Sequence, residues 1–332
     1  MSDLPLSLLL LAFGLSLLIL TLLLKSGSAR YLAMDEPNQR SLHSIAIPRV
    51  GGIAIVIAVL GAWSQLPELP QLLMLLTAAL AGISFIDDRK GLSVVLRLAF
   101  HGIAAFMVVL SGLAGASQNL WTMAVLVAYV VWMTNAYNFM DGADGLAGGM
   151  TIFGFSAYGI ACSCAQAELL AAMSFILAAA TGAFLLFNFP PAKVFMGDAG
   201  SISLGFLAAA LGLSGWQMGV WPPWFPLLVF SPFLVDASLT LLRRILRREH
   251  FWEAHREHYY QRLIRMGWSH RRTALVEYVL MAGVAASALA GLRLEAAGQA
   301  LILAGWVMAF AAMMLAVDIH WRRFVLSGIE QP

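Results

Sequence analysis

The sequence predicts an all-α integral membrane protein of about eleven transmembrane helices. Two observations carry this. Of the 332 residues, 61% are hydrophobic and only 11% charged, whereas soluble domains carry about 25% charged residues. Long uncharged runs recur along the whole chain, and about 20 apolar residues suffice to span a bilayer as a helix. Alternating polar and apolar strands, the mark of a membrane barrel, are absent.

The expected helices cover 4–24, 50–65, 71–86, 94–111, 121–138, 147–164, 169–187, 201–215, 224–242, 274–291 and 299–317. The first run is preceded by Asp3 with no basic residue before it, and it lacks a small-residue cleavage site before Lys25, so it reads as a retained helix rather than a signal peptide. Eleven crossings place the loops alternately on two sides. Of the 20 Lys and Arg residues, only Arg293 then shares a side with the N-terminus. By the positive-inside rule the N-terminus is outside and the C-terminus cytoplasmic. The chain reads as one polytopic domain over 1–332, with 243–272 as a cytoplasmic amphipathic arm. Cys162 and Cys164 are too close together for an unstrained disulfide and read as small apolar residues near a helix end.

Five cytoplasmic loops carry the chemistry. In the first, Arg49 precedes Gly51 and Gly52, so a guanidinium could meet an anion where glycine lets backbone approach closely. An anchoring role by the positive-inside rule explains Arg49 as well, together with Arg30 and Arg40. The second holds Asp87 and Asp88 at a helix C-terminus, where paired carboxylates need a cation or a shared proton. Arg89 and Lys90 could compensate them, but a divalent metal beside a phosphate substrate explains the pair better. The third is Asn135-Ala-Tyr-Asn138-Phe-Met-Asp141-Gly-Ala-Asp144-Gly, flanked by uncharged runs. If it is helical, Asn138, Asp141 and Asp144 share one face. Aspartate at a bilayer centre costs about 2.5–3.5 kcal/mol, so these residues belong at a cytoplasmic mouth or in a wet cavity.

The fourth loop, 188–201, offers Lys193 as a point charge for phosphate and Asp198 as a hard oxygen donor at the start of the next helix. The fifth, 243–272, contains four of the seven histidines. His255 and His258 would share a helix face there, and Phe251, Trp252, Tyr259 and Tyr260 among arginines suggest a membrane-facing surface. Phosphate contact is the preferred role for the two histidines, since His-x-x-His alone lacks further zinc ligands. On the expected topology all five loops meet on one face. Carboxylates beside phosphate-binding cations are what magnesium-dependent phosphoryl transfer needs. A transporter reading is disfavoured, because transporters place ionisable groups near the bilayer midplane in repeated halves, and no internal repeat is found.

Four strings carry a family resemblance: Pro-Arg-Val-Gly-Gly at 48–52, Phe-Ile-Asp-Asp-Arg-Lys at 85–90, Asn-Phe-Met-Asp-Gly-Ala-Asp-Gly-Leu-Ala at 138–147 and Pro-Ala-Lys-Val-Phe-Met-Gly-Asp-Ala-Gly-Ser at 191–201. In this order they resemble the polyprenyl-phosphate N-acetylhexosamine-1-phosphate transferases, and the likeness covers almost the whole chain. The resemblance implies transfer of a sugar 1-phosphate from a UDP-N-acetylhexosamine to undecaprenyl phosphate with release of UMP, at the cytoplasmic face of the bacterial inner membrane. It implies Mg2+, with Mn2+ as a substitute. Asp87 and Asp88 resemble the catalytic pair at the lipid phosphate, and Asn138 and Asp198 the metal ligands. Asn135, Asn138, Asp141, Asp144, Lys193 and Phe195 fall to the nucleotide sugar; Arg49, His255, Arg256 and His258 fall to phosphate. Nucleic acid is not an expected partner, whereas a homodimer is compatible.

The peptidoglycan branch, which transfers phospho-MurNAc-pentapeptide, typically has Thr-Pro-Thr-Met-Gly-Gly and three consecutive histidines. This chain has Ile-Pro-Arg-Val-Gly-Gly and His255-Arg-Glu-His258. The departures favour the branch that initiates O-antigen or other surface polysaccharides.

Overall fold

A computed structural model describes residues 6–37, 45–68, 71–112, 119–249 and 255–327. Arg40, His250, Phe251 and Trp252 lie outside the described residues.

The apolar runs fold as helices because a backbone without water must satisfy its own hydrogen bonds. In order they are α1 (Leu6–Lys25), α2 (Ala29–Leu32), α3 (Gly51–Trp63), α4 (Gln71–Lys90), α5 (Val94–Gly112), α6 (Leu120–Phe139) and α7 (Leu146–Cys164). Then follow α8 (Glu168–Asn188), α9 (Asp198–Gln217), α10 (Trp224–Val229), α11 (Ser231–Leu246), α12 (Tyr259–Arg265), α13 (His270–Gly291) and α14 (Ala296–Leu326). Between α2 and α3, β1 (Met34–Asp35) and β2 (Ile47–Pro48) pair antiparallel. Among the described residues nine helices are long and apolar enough to cross a membrane, so the chain is an all-α membrane protein.

Each predicted helix is matched by a helical segment, with instructive differences. The segment expected as one helix over 224–242 is broken at Phe230 into α10 and α11; Pro232 sits in the first turn of the second piece, where proline's missing N–H is tolerated. The Gly51-Gly52 pair begins α3. Cys162 and Cys164 are unpaired, in the last turn of α7.

Helix α9 occupies the centre, 89% of its span buried against α3, α4, α5 and α6. Its approach to α3 requires glycine: a Cβ at Gly52 would lie 2.1 Å from the backbone nitrogen of Gly200. The N–H groups of Gly51 and Gly52 donate to the carbonyls of Phe195 (3.0 Å) and Met196 (2.8 Å). The start of α3 therefore holds the loop that leads into α9, and these amides are not open to an anion. Helices α7 and α8 complete the core, where Tyr137, Tyr158, Phe230 and Phe233 pack edge to face. At the periphery α1 and α5 are mostly exposed, and α14 is 6% buried.

Candidate active site

At their polar ends α4, α5, α6, α9, α11 and α12 enclose a cavity of about 610 Å3. Asp87, Arg97, Asn138, Asp198, His255 and His258 line its polar part, and Leu80, Ile83, Leu98, Val131 and Trp132 continue it as an apolar trench. These trench residues lie along α4, α5 and α6 on the bilayer side of the polar groups.

Helix α4 runs four residues beyond its predicted end, so Asp87 and Asp88 occupy its last turn. A carboxylate there opposes the helix dipole. For Asp87 the compensation is the Leu92 N–H, donating at 2.5 Å, and the Arg97 guanidinium at 3.1 Å. Arg97 also lies 3.9 Å from Asp198. Sequence reasoning passed over Arg97 because it falls inside a predicted span. A charge one turn inside an apolar helix is itself a signal, since it demands a polar partner.

Asp88 points the other way. Its side chain is 1% exposed, 3.5 Å from Arg49, with the backbone amides of Asp198 and Ala199 aimed at it. Arg49 bridges Asp88 to Asp35, which it meets at 2.6 Å. Burial opposes the Arg49 charge, but Asp35, Asp88 and Asp198 outweigh it and hold the guanidinium above its ordinary pKa. The predicted pair is thus divided: Asp87 faces the cavity, and Asp88 ties α4 to α9 and to Arg49.

Asp198 opens α9, where the helix N-terminus favours negative charge. Ser201 Oγ donates to Asn138 Oδ1 at 2.5 Å, which leaves the Asn138 amide hydrogens for Asp198. Asn135 lines the cavity one turn away, its own amide donating to the Val131 carbonyl at 2.7 Å.

The next carboxylates do not share a helix face. Helix α6 ends at Phe139, so Asp141 and Asp144 sit in a turn. Asp141 is half-buried, and burial, with Asp198 nearby, raises its carboxyl well above the usual range. Asp144 braces three segments: Oδ2 accepts from the Ala192 N–H at 3.0 Å, and Oδ1 lies 3.2 Å from His270 Nδ1. Asn188 extends the brace, accepting from the Gly145 N–H and donating to the Val194 carbonyl, both at 2.9 Å. Lys193 is exposed on this loop, and the Phe195 N–H donates to the Pro48 carbonyl of β2 at 2.9 Å while its carbonyl accepts from Gly51 at the start of α3. Neither is in the cavity wall.

The histidines also depart from the expected geometry. His258 is the N-cap of α12 and His255 lies before it in the loop, so no helix face unites them; their rings nonetheless sit 5.0 Å apart. His258 is 4% exposed. Its Nδ1 meets Asp236 Oδ1 at 3.0 Å, and the same carboxylate accepts from the N–H groups of Tyr259 (3.0 Å) and Tyr260 (3.2 Å). Asp236 therefore fixes both the imidazole and the start of the helix. Burial, then His258 and Arg244, push His255 down to about 4. Arg256 is outside the cavity wall and its carbonyl accepts from Arg265 at 2.8 Å. Tyr259 and Tyr260, expected on a membrane-facing surface, are 3% and 0% exposed and pack against protein. Asp236 and Gln261 escaped the sequence reading. Asp236 is hidden in a predicted span, where it is the lone acidic residue and so a signal of the same kind as Arg97.

The oxygen donors suit a hard cation. Among the described residues no three Asp, Glu, His or Cys side chains form a ready metal cage. Mg2+ uses one or two carboxylates, completed by water and substrate phosphates. Asp198, facing the cavity beside Asn138 and within electrostatic reach of Asp87, meets that requirement.

Comparison with known proteins identifies the family. The family model described as glycosyl transferase family 4 matches residues 71–215. A Bacillus subtilis protein named probable undecaprenyl-phosphate N-acetylglucosaminyl 1-phosphate transferase is 31% identical, covering 80% of this chain and 79% of its own. The Yersinia pestis undecaprenyl-phosphate alpha-N-acetylglucosaminyl 1-phosphate transferase is 30% identical over 88% of this chain and 86% of its own. The Mycobacterium leprae decaprenyl-phosphate N-acetylglucosaminephosphotransferase is 30% identical over 77% and 76%. With identity sustained across most of both chains, and the family match spanning the segment from α4 into α9, this chain belongs to glycosyl transferase family 4, among the polyprenyl-phosphate N-acetylhexosamine 1-phosphate transferases.

Proposed function

We propose that the protein transfers N-acetylglucosamine 1-phosphate from its UDP-sugar to undecaprenyl phosphate. A lipid phosphate oxygen attacks the sugar-bearing phosphorus, the diphosphate linkage to UMP breaks, and UMP leaves as polyprenyl diphosphate sugar forms. The observation that carries the reading is a single cavity whose polar part holds Asp87, Arg97, Asp198 and His258 and whose remainder is an apolar trench. Such a shape suits one substrate with a phosphate head and a long hydrocarbon tail. The choice of N-acetylglucosamine follows the names of the relatives.

In this reading Arg97 and His258 hold phosphate oxygens, and Asp87 accepts the proton of the lipid phosphate. The Asp236 carboxylate accepts the Nδ1 hydrogen, so His258 donates through Nε2 as the doubly protonated imidazolium. Asp141 and Asn135 stand on the nucleotide-sugar side, with Lys193 and Phe195 at its outer edge. Asp198 and Asn138 would hold Mg2+, which when bound neutralises charge developing on the transferred phosphoryl group. The topology has eleven crossings when α3 counts as one and α10 with α11 as another. The N-terminus is outside, and the site opens to the cytoplasm at the bacterial inner membrane. The product would initiate an O-antigen or another cell-envelope polysaccharide.

The test is direct. Purified protein given UDP-N-acetylglucosamine, magnesium and undecaprenyl phosphate should release UMP in a lipid-dependent manner. Absence of UMP with every UDP-N-acetylhexosamine tried would overturn the reading.

A further inference from the structure

Helix α14 has 31 residues, roughly 46 Å at 1.5 Å per residue, against a hydrocarbon core of about 30 Å. Its C-terminal turns therefore extend past the membrane. The helix buries only Phe310 and Met314, so packing alone does not fix its position. Yet its overhanging end carries a dense polar cluster.

Asp318 is the centre of that cluster. Arg243 of α11 engages both its oxygens, one of them at 2.6 Å. Arg262 of α12 reaches it at 3.1 Å, and the Tyr259 hydroxyl lies at 3.5 Å. One turn on, Trp321 lies under the guanidinium groups of Arg262 (5.7 Å) and Arg265 (4.7 Å). Arg262 is 4% exposed in its side chain and its Nε has no hydrogen-bond partner among the described residues. A charge so enclosed depends on its counter-ion, because breaking a buried pair leaves the survivor uncompensated.

Helix α12 has two faces. His258 and Gln261, three residues apart, look into the cavity, while Tyr259 and Arg262, also three apart, look at α14. Seven residues are too few to hold a helix by themselves, so the direction of the cavity face is set by whatever grips the helix. Asp236 grips its first turn, and the Asp318 cluster grips its back.

We infer that Asp318 is a positioning residue for the transfer reaction, acting through Arg262 and α12 on His258 and Gln261. The inference rests on the proposed reading of the cavity as the transfer site. It also gives the otherwise loosely packed α14 a task, as a strut from the membrane to the histidine side of the site.

A double-mutant cycle tests it. Asp318→Asn should lower kcat/KM about tenfold in the wild-type background, since hydrogen bonds to charged groups have about that weight. In a His258→Ala background it should lower it less than twofold. Asp318→Glu, which keeps the carboxylate, should recover activity to within about threefold of wild type. Hydrogen exchange on the full chain in micelles supplies an arm independent of activity. Amides of 259–265 should exchange faster in Asp318→Asn while those of α9 stay unchanged. Equal losses in both backgrounds, or unchanged exchange in α12, would overturn the inference. If Asp318→Asn does not fold, Arg262→Gln, which removes the same ion pair from the α12 side, should give the same local rise in exchange, and no rise there has the same force. A wild type that releases no UMP would sink the proposed reaction, and the exchange result would still decide whether Asp318 holds α12.

Discussion

Helices α9 and α14 each bring one aspartate to the polar end of the bundle, and they do it by opposite means. Helix α9 is 89% buried and α14 6%. Asp198 stands where it does because α3, α4 and α6 leave α9 no alternative. Asp318 is held by the same arginines and tyrosine that it holds. Packing locates the first and a polar cluster locates the second, so damage to apolar contacts should reach the site through α9 and not through α14.

The largest effect is expected at Asp198 itself. Asp198→Asn keeps the size and the helix start but removes the charge facing the cavity. Loss of a hard ligand that stabilises transition-state charge is worth several kcal/mol, so UMP release should fall by about a hundredfold or more with melting in detergent little changed. Activity near wild type would break the comparison at its root, because α9 would then carry no chemistry.

Asp236→Asn sharpens the contrast on the other side. Asp236 touches the His258 ring directly, whereas Asp318 acts through the body of α12. Its loss should lower kcat/KM by roughly ten- to a hundredfold, more than the tenfold expected at Asp318. The reverse order, measured in the same assay, would mean that the strut outweighs the direct contact.

These residues also mark how far the sequence could be read. The helices were legible because uniform apolar runs allow hardly any other structure in a membrane. Asp198 was legible because glycine, a carboxylate and a new apolar run adjoin in sequence. The division of labour between Asp87 and Asp88 was not, since adjacent residues on a helix point about 100° apart and only the neighbours decide which meets the cavity. Arg97, Asp236 and Asp318 were hidden for a shared reason. Each sits in or beside an apolar span, and its partner lies on another element, as Asp318 and Arg243 do across 75 positions. The histidines misled because His-x-x-His fits a helix face, while here His258 ends the loop and caps the helix.

Paired glycine substitutions test the packing half of the comparison. A Cβ at Gly52 would fall 2.1 Å from the Gly200 nitrogen and 2.3 Å from its Cα, backbone that has nowhere to go. Gly52→Ala should destabilise the protein by about 1–3 kcal/mol and, by displacing the start of α9, reduce turnover as well. A Cβ at Gly305 in α14 would meet nothing within 4 Å among the described residues. Gly305→Ala should leave turnover unchanged and the melting temperature equal or slightly higher, as alanine favours the helix by up to about 1 kcal/mol. Equal sensitivity at the two positions would mean that α14 is packed in its working state.

The smallest effect concerns His255, on the side of the cavity that α12 and α14 hold. Burial, His258 and Arg244 keep its pKa at about 4, below the ordinary value of about 6.5 that it regains on unfolding. Above pH 6.5 the ring is neutral in both states and pH has no leverage through it. As pH falls from 6.5 toward 4 the unfolded chain takes up a proton that the folded chain refuses, so stability declines across that window and levels off below it. His255→Asn removes this contribution. Its melting temperature in detergent should fall less than that of the wild type between pH 6.5 and 4, with no difference in slope above pH 7. The comparison also probes the strut: in Asp318→Asn a loosened α12 lets water reach His255, its pKa rises toward the ordinary value, and the gap between the two pH profiles narrows.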